Sequence, residues 1–333
     1  MRKTIGRLGR AVTRSPGAQP GGVDEVWRTV ERMTAVGAVI GAVEQLSSTG
    51  RRSREEILPW PVTRTRLKRL TSGPGRRIGD AVVGPPRDHV VAAVKLAAGL
   101  RLLLGRPGHT ERGILLASLA TANVVNHLRV GGYGMDGSDH LSTVTFAAAA
   151  LDKLPGNTPS DRRAVLSFLA AQSVLAYATS GLVKLTSPTW RGGDAIPGVL
   201  RTRTYGDRGL FSVVRSQPVL AKGMAWSVIL TETLFPVVLV LPPRWARASL
   251  AAGAAFHLAN GRYMGLNRFF WAFTATYPAV DFLRAELAGA ARTGTLTPSA
   301  APAALSAALS AASNALTTAS TALTTGPNAG ASR

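Results

Sequence analysis

Ala164-Val-Leu-Ser-Phe-Leu-Ala-Ala-Gln-Ser-Val-Leu-Ala-Tyr-Ala-Thr-Ser-Gly-Leu-Val-Lys-Leu185 is the stretch on which the fold turns. It holds a single charged side chain, Lys184, close to its end. As a helix it covers about 33 Å, enough for a hydrocarbon core of about 30 Å. Runs of similar texture occupy 89–105, 113–128, 141–151, 219–241, 248–265 and 266–283, with short polar joints between them. The run 219–241 is also long enough to cross alone, whereas the shorter ones need tilt or protein neighbours. The run 141–151 reads equally as a re-entrant or interfacial helix. In lipid only helices and closed barrels satisfy the backbone, and these runs lack the alternation of barrel strands. The expectation is an all-α, polytopic integral membrane bundle of about six transmembrane helices, five to seven, multi-pass in the cell membrane.

Composition leads to the same class. Lys and Arg number 39 against 18 Asp and Glu, a net charge of +21, with a sequence pI near 11.6. Charged residues are only 17% of the chain, below the roughly 25% of soluble domains, and mean hydropathy is +0.13. A nucleic-acid binder packs such charge onto folded faces among aromatics; here the arginines sit in the ends and between apolar runs, so no nucleic-acid partner is expected. The absence of cysteine excludes disulfides, thiolate metal sites and cysteine nucleophiles.

Three regions follow. Residues 1–85 are a basic, cytoplasmic or interfacial segment with clusters at 51–54, 64–69 and 76–77. No apolar core follows its first basic residues, so nothing reads as a signal peptide and the start is expected on the cytoplasmic side. Val26, Val30, Met33, Val36, Ile40 and Val43 mark a helix over Val23–Leu46, either a surface helix or one lying on anionic lipid. Residues 86–285 form the transmembrane domain. Residues 286–333 are Ala/Ser/Thr-rich and too poor in large side chains to offset chain entropy, so a disordered or loosely helical tail is expected. Between the two strongest spans, 186–218 is too long for an idle turn.

Polar groups inside apolar runs are the candidates for function, because an ionisable group in lipid costs several kcal/mol unless it pairs or meets water. Asn123, Asn126 and His127 share one run, Gln172 and Lys184 the next, Glu232 the following one, and His257 and Asn260 another. Each has a structural alternative: Glu232 with Lys184 as an orienting ion pair, the histidines bound to backbone carbonyls, the asparagines as interhelical glue. A desolvated lysine more readily supplies a free amine, which makes a base of Lys184, just ahead of Trp190. Asp136, Asp139 and His140 make either an oxygen-rich cation site or a helix cap. The remaining histidines are too scattered for a metal site, and no phosphate loop or nucleophile elbow is present.

Three segments, Tyr133-Gly-Met-Asp-Gly-Ser-Asp-His140, Ser180-Gly-Leu-Val-Lys-Leu-Thr-Ser-Pro-Thr-Trp-Arg-Gly-Gly-Asp-Ala195 and Phe256-His-Leu-Ala-Asn-Gly-Arg-Tyr-Met-Gly-Leu-Asn-Arg-Phe-Phe-Trp271, together resemble the HTTM (horizontally transferred transmembrane) domain family. This is the membrane part of the vitamin K-dependent gamma-carboxylases and of many bacterial proteins. The resemblance covers about 89–285, and Gly-x-x-Lys-Leu followed by Trp-x-x-Gly is its most specific part. It implies that Lys184 deprotonates a reduced quinone such as vitamin K hydroquinone, and that His257 holds the place of a family histidine. The carboxylases' large extramembrane substrate domain has no counterpart here. Two classes of function are therefore expected: an enzyme using an intramembrane lysine base on a lipophilic quinol-type small molecule, or a non-catalytic membrane protein assisting maturation, export or immunity of a partner polypeptide.

Overall fold

Thr158 accepts a hydrogen bond from Asp161 N at 3.2 Å, and the Asp161 carboxylate returns one from Thr158 N at 2.9 Å. This capping box, with Pro159 at the first helical position, starts the central helix; Ser187-Pro188 ends it. The computed structural model describes residues 20–52, 60–66, 72–83, 88–130 and 135–293, and every regular element among them is helical. In chain order they are α1 Pro20–Arg52, α2 Trp60–Thr63, α3 Gly73–Val82, α4 Asp88–Leu104, α5 His109–Val130, α6 Gly137–Asp152, α7 Pro159–Thr186, α8 Pro188–Gly192, α9 Ala195–Leu200, α10 Arg208–Ser216, α11 Pro218–Thr233, α12 Pro243–Met264, α13 Asn267–Thr274 and α14 Tyr277–Arg292.

α7 lies at the centre, packed against α6, α11 and α14. Its Leu166, Leu169, Ala170 and Val174 join Phe146, Leu116, Leu119 and Val280 in one core. α11 runs back along the end of α7. The approach is close enough that a Cβ on Gly181 would stand 2.3 Å from Thr233 N, so only glycine fits there.

Among the described residues α7 alone is long and apolar enough to cross a membrane unaided. The expectation of a second such span at 219–241 is corrected. α11 stops at Thr233, and Phe235–Leu239 forms a 3-10 turn around Pro236, which has no N–H to continue the α-helical ladder. Likewise the run 266–283 is two helices, α13 and α14, rather than one. The whole 141–151 run is helical within α6.

The expectation of a surface helix over 23–46 is also corrected. α1 threads the core against α4, α13 and α14, with Val23, Trp27, Val30, Thr34, Ala38, Ala42 and Gln45 as its buried stripe. Its Glu31 is enclosed as well, while Glu25, Arg28, Arg32 and Glu44 stay exposed. Arg112 donates from Nε and Nη2 to Glu31 Oε2 at 2.9 and 2.6 Å, and Lys153 Nζ lies 3.3 Å from Glu31 Oε1. Lys153 also bonds Asp152, to which Arg162 donates from Nε and Nη2 at 3.0 Å; Arg162 Nη2 reaches Asp24 at 2.5 Å. Three anions meet three cations, and the side chains of Asp152 and Lys153 are wholly buried. The expected tail lies mostly outside the described residues; 286–292 closes α14.

Candidate functional site

The last two turns of α7 put Tyr177, Ser180 and Lys184 on one face, three and four residues apart. That face lines a cavity of about 650 Å³ between α7, α11, α12 and the short helices α9 and α10. Lys184 Nζ donates to Glu232 Oε2 at 2.6 Å and to Ser180 Oγ at 2.5 Å, and it lies 5.2 Å from the Trp190 ring centroid. The pair is largely buried, with 18% of the Lys184 side chain and 10% of the Glu232 side chain exposed. The two groups satisfy each other by hydrogen bonding while still facing open volume.

A second polar group lies about two turns back along the same face of α7. Tyr177 Oη shares hydrogen bonds with His257 Nε2 at 2.5 Å and with Tyr277 Oη at 2.6 Å. His257 stacks on Phe273 at 4.6 Å, and its Nδ1 is buried without a hydrogen-bond partner among the described residues. Most of the remaining lining is apolar, including Leu141, Val144, Ile196, Val199, Leu210, Met224 and Val228. Gln172 and Asn260 also face the cavity, and neither side-chain amide makes a hydrogen bond to a described residue.

Seven of the residues singled out from the sequence therefore converge: His140, Gln172, Lys184, Trp190, Glu232, His257 and Asn260. Gln172 and Lys184 are roughly 120° apart on the helix. They still share the cavity because it wraps around α7. Five others lie elsewhere. Asn126 donates to Gln45 Oε1 at 3.2 Å, tying α5 to α1, as Asn123 donates to Ser142 Oγ at 3.4 Å. Asp136 is the N-cap of α6, accepting from Ser138 N at 2.8 Å, and Asp139 completes the capping box and pairs with Arg268. The His127 ring stands 5.4 Å from that of His140, and only His140 reaches the cavity. No group of three or more metal-type ligands occurs among the described residues.

Ser180, Tyr177 and Tyr277 were not among the candidates. The first two share the helical face of Lys184, a spacing that could have revealed them. Tyr277 arrives from α14 through tertiary packing alone.

No protein-family model, curated protein or solved structure matches the chain.

Proposed function

We propose that the chain is a multi-pass membrane protein that binds a lipophilic small molecule with an acidic hydroxyl, a reduced quinone by class, in the cavity beside α7. The observation that carries this is a mostly apolar cavity of about 650 Å³ with one buried ion pair and two free amides on its wall. Sites for lipophilic ligands have this size and this sparse polarity. The likeness of residues 180–195 to the HTTM motif supports the same class.

The membrane placement draws on α12. Exposed Trp245 stands beside Arg244 near its start and exposed Tyr263 beside Arg262 near its end. They are 18 residues apart, about 27 Å along a helix, close to the hydrocarbon thickness. Between Trp245 and Arg262 the exposed positions are Ala248, Ser249, Ala251, Ala252, Ala255, Leu258 and Ala259, none of them charged, with Arg247 half-buried near the first boundary. Arg-flanked aromatics bounding an apolar face are the pattern of a helix anchored at both interfaces. Exposed Leu100, Ile114, Phe168, Leu182, Val183, Leu230 and Val240 extend the apolar outer surface over other helices.

A bound quinol supplies a phenolic proton. Glu232 takes a proton on its carboxylate, and Lys184 keeps positive charge at the same place, where it stabilises an anion. Lys184 thus works with Glu232 rather than as a solitary amine. Gln172 and Asn260 orient polar substituents, and Phe269, Phe273 and Met264 offer surface for a ring.

The test uses the detergent-purified full chain and an anaerobic short-tailed naphthoquinol. Alkaline-washed membranes retain the protein, and the quinol raises the melting temperature in a saturable way that Val228→Trp, which fills the cavity, abolishes. Release by alkali, or a thermal shift indifferent to Val228→Trp, overturns the reading. A second reading, the non-catalytic protein assisting a partner polypeptide, is favoured by the fact that Lys184 is already committed to Glu232, Ser180 and Trp190. It predicts that Lys184→Arg behaves as wild type throughout and that the quinol is not bound.

A further inference from the structure

Residues 187–222 carry six basic side chains against two acidic ones, and they fold into a lid of three short helices followed by the start of α11. Its inner face belongs to the cavity: Ile196, Val199, Leu200 and Leu210 line it, and Leu200, Val214 and Ala221 form a small core of their own with Met264. The outer face is different in kind. Arg191, Arg201, Arg203, Arg208, Arg215 and Lys222 are all exposed, and none of them pairs with a described carboxylate. Asp207 is committed as the N-cap of α10, accepting from Leu210 N at 2.7 Å, which leaves Asp194 as the lid's other acid. Among these cations stand exposed Val213, Val219 and Leu220, the second of them 88% accessible.

The lid is fixed in place. Trp226 Nε1 on α11 donates to Arg191 O at 3.2 Å. Gly193, at φ 99°, lies against Lys222 so closely that a Cβ would stand 2.8 Å from the Lys222 Cα. Met264, one residue beyond the exposed Tyr263, packs into the lid's small core. The lid therefore sits level with one aromatic boundary of α12.

The geometry points to a lipid-binding role for this outer face: it docks on the anionic phospholipid headgroups of the bilayer and seats the cavity beneath them. This rests on the membrane reading above. Unpaired cations beside protruding aliphatics suit a surface where phosphate lies just above acyl chains. The alternative occupant, an acidic peptide, would leave Val219 and Leu220 without a reason to be exposed next to the apolar belt.

The experiment uses the full chain in neutral detergent with phosphatidylglycerol or phosphatidylcholine added, followed by melting temperature. Phosphatidylglycerol stabilises at lower concentration than phosphatidylcholine, and high salt removes the difference. The quadruple variant Arg201→Gln/Arg203→Gln/Arg208→Gln/Arg215→Gln raises the half-effective phosphatidylglycerol concentration at least about tenfold. It melts like wild type without added lipid, and the four corresponding Arg→Lys changes keep the preference. Equal response of wild type to the two lipids, or a preference surviving in the Gln variant, overturns the proposal. So does charge-dependent binding of a polyglutamate peptide with no lipid preference. Release of wild type from alkaline-washed membranes fails the membrane reading itself, whereas retention with no lipid preference fails the lid proposal alone.

Discussion

Two regions of this bundle bury charge, and they do so to opposite ends. Where α1, α5, α6 and α7 meet, three anions and three cations interlock, with the Asp152 and Lys153 side chains wholly buried and Asp24 at the rim, and Lys153 lies over Trp27 at 6.0 Å. At the other end of α7 one anion and one cation meet on the wall of a cavity, with free amides nearby. The first arrangement ties four helices together, since loss of the shared Asp152 leaves the wholly buried Lys153 short of an anion where water does not reach it. The second leaves its groups able to bond something that enters. Buried charge is thus no mark of function by itself; buried charge facing space is.

The sharpest way to break this contrast is Asp152→Ala. It leaves Lys153 and Arg162 short of their common anion, and the expected loss is about 3–5 kcal/mol of stability, read as a large fall in melting temperature in detergent. A wild-type melt would show that the interlocked end is not a lock.

At the cavity the same kind of cut should cost less. Lys184→Ala orphans Glu232 beside open volume where water can enter, so about 1–3 kcal/mol is expected. Lys184→Ala with Glu232→Ala recovers most of it, because no lone charge remains. Both forms are expected to lose the proposed quinol binding. A loss as large as that of Asp152→Ala, without recovery in the double variant, would erase the difference between the two ends.

The sequence was readable where apolar runs are long and their breaks are chemical. The central helix and its Lys184 follow from the run 164–185, and Asp136 as a cap follows from Asp and Gly ahead of Leu141. It misled where size stood in for burial. In α1 the large aliphatics drew a stripe through Val36, Ile40 and Val43, yet the packed face runs through Ala38 and Ala42, where small side chains let neighbouring helices close in. The burial of Glu31 was out of reach because its partners Arg112 and Lys153 lie 81 and more residues away. The lid over 187–222 was legible only as a loop too long to be idle. Its inward and outward faces depend on where α11 and α12 stand, and no local spacing encodes that.

The smallest expected effect belongs to a pair outside both regions. Asp80, on α3, accepts from Trp60 Nε1 at 2.7 Å and from Arg64 Nη1 at 2.7 and 2.8 Å. The Trp60 indole and then the Arg64 guanidinium hold its carboxyl below the ordinary value of 3.8. A depressed carboxyl stabilises the fold at pH above its unfolded value, and that contribution fades as pH falls through the lower folded value. Between about pH 5 and pH 3 wild type should therefore lose slightly more thermal stability than Asp80→Asn, which has nothing to titrate. Because the pair is near the surface, added salt should shrink that difference, while salt leaves the penalty of Asp152→Ala nearly unchanged. Melting curves of the two variants at the two pH values and two salt concentrations check both statements. Salt sensitivity of equal size for Asp80 and Asp152 would mean that the interlocked charges are reached by solvent, and the contrast between a closed and an open end would then rest on the cavity alone.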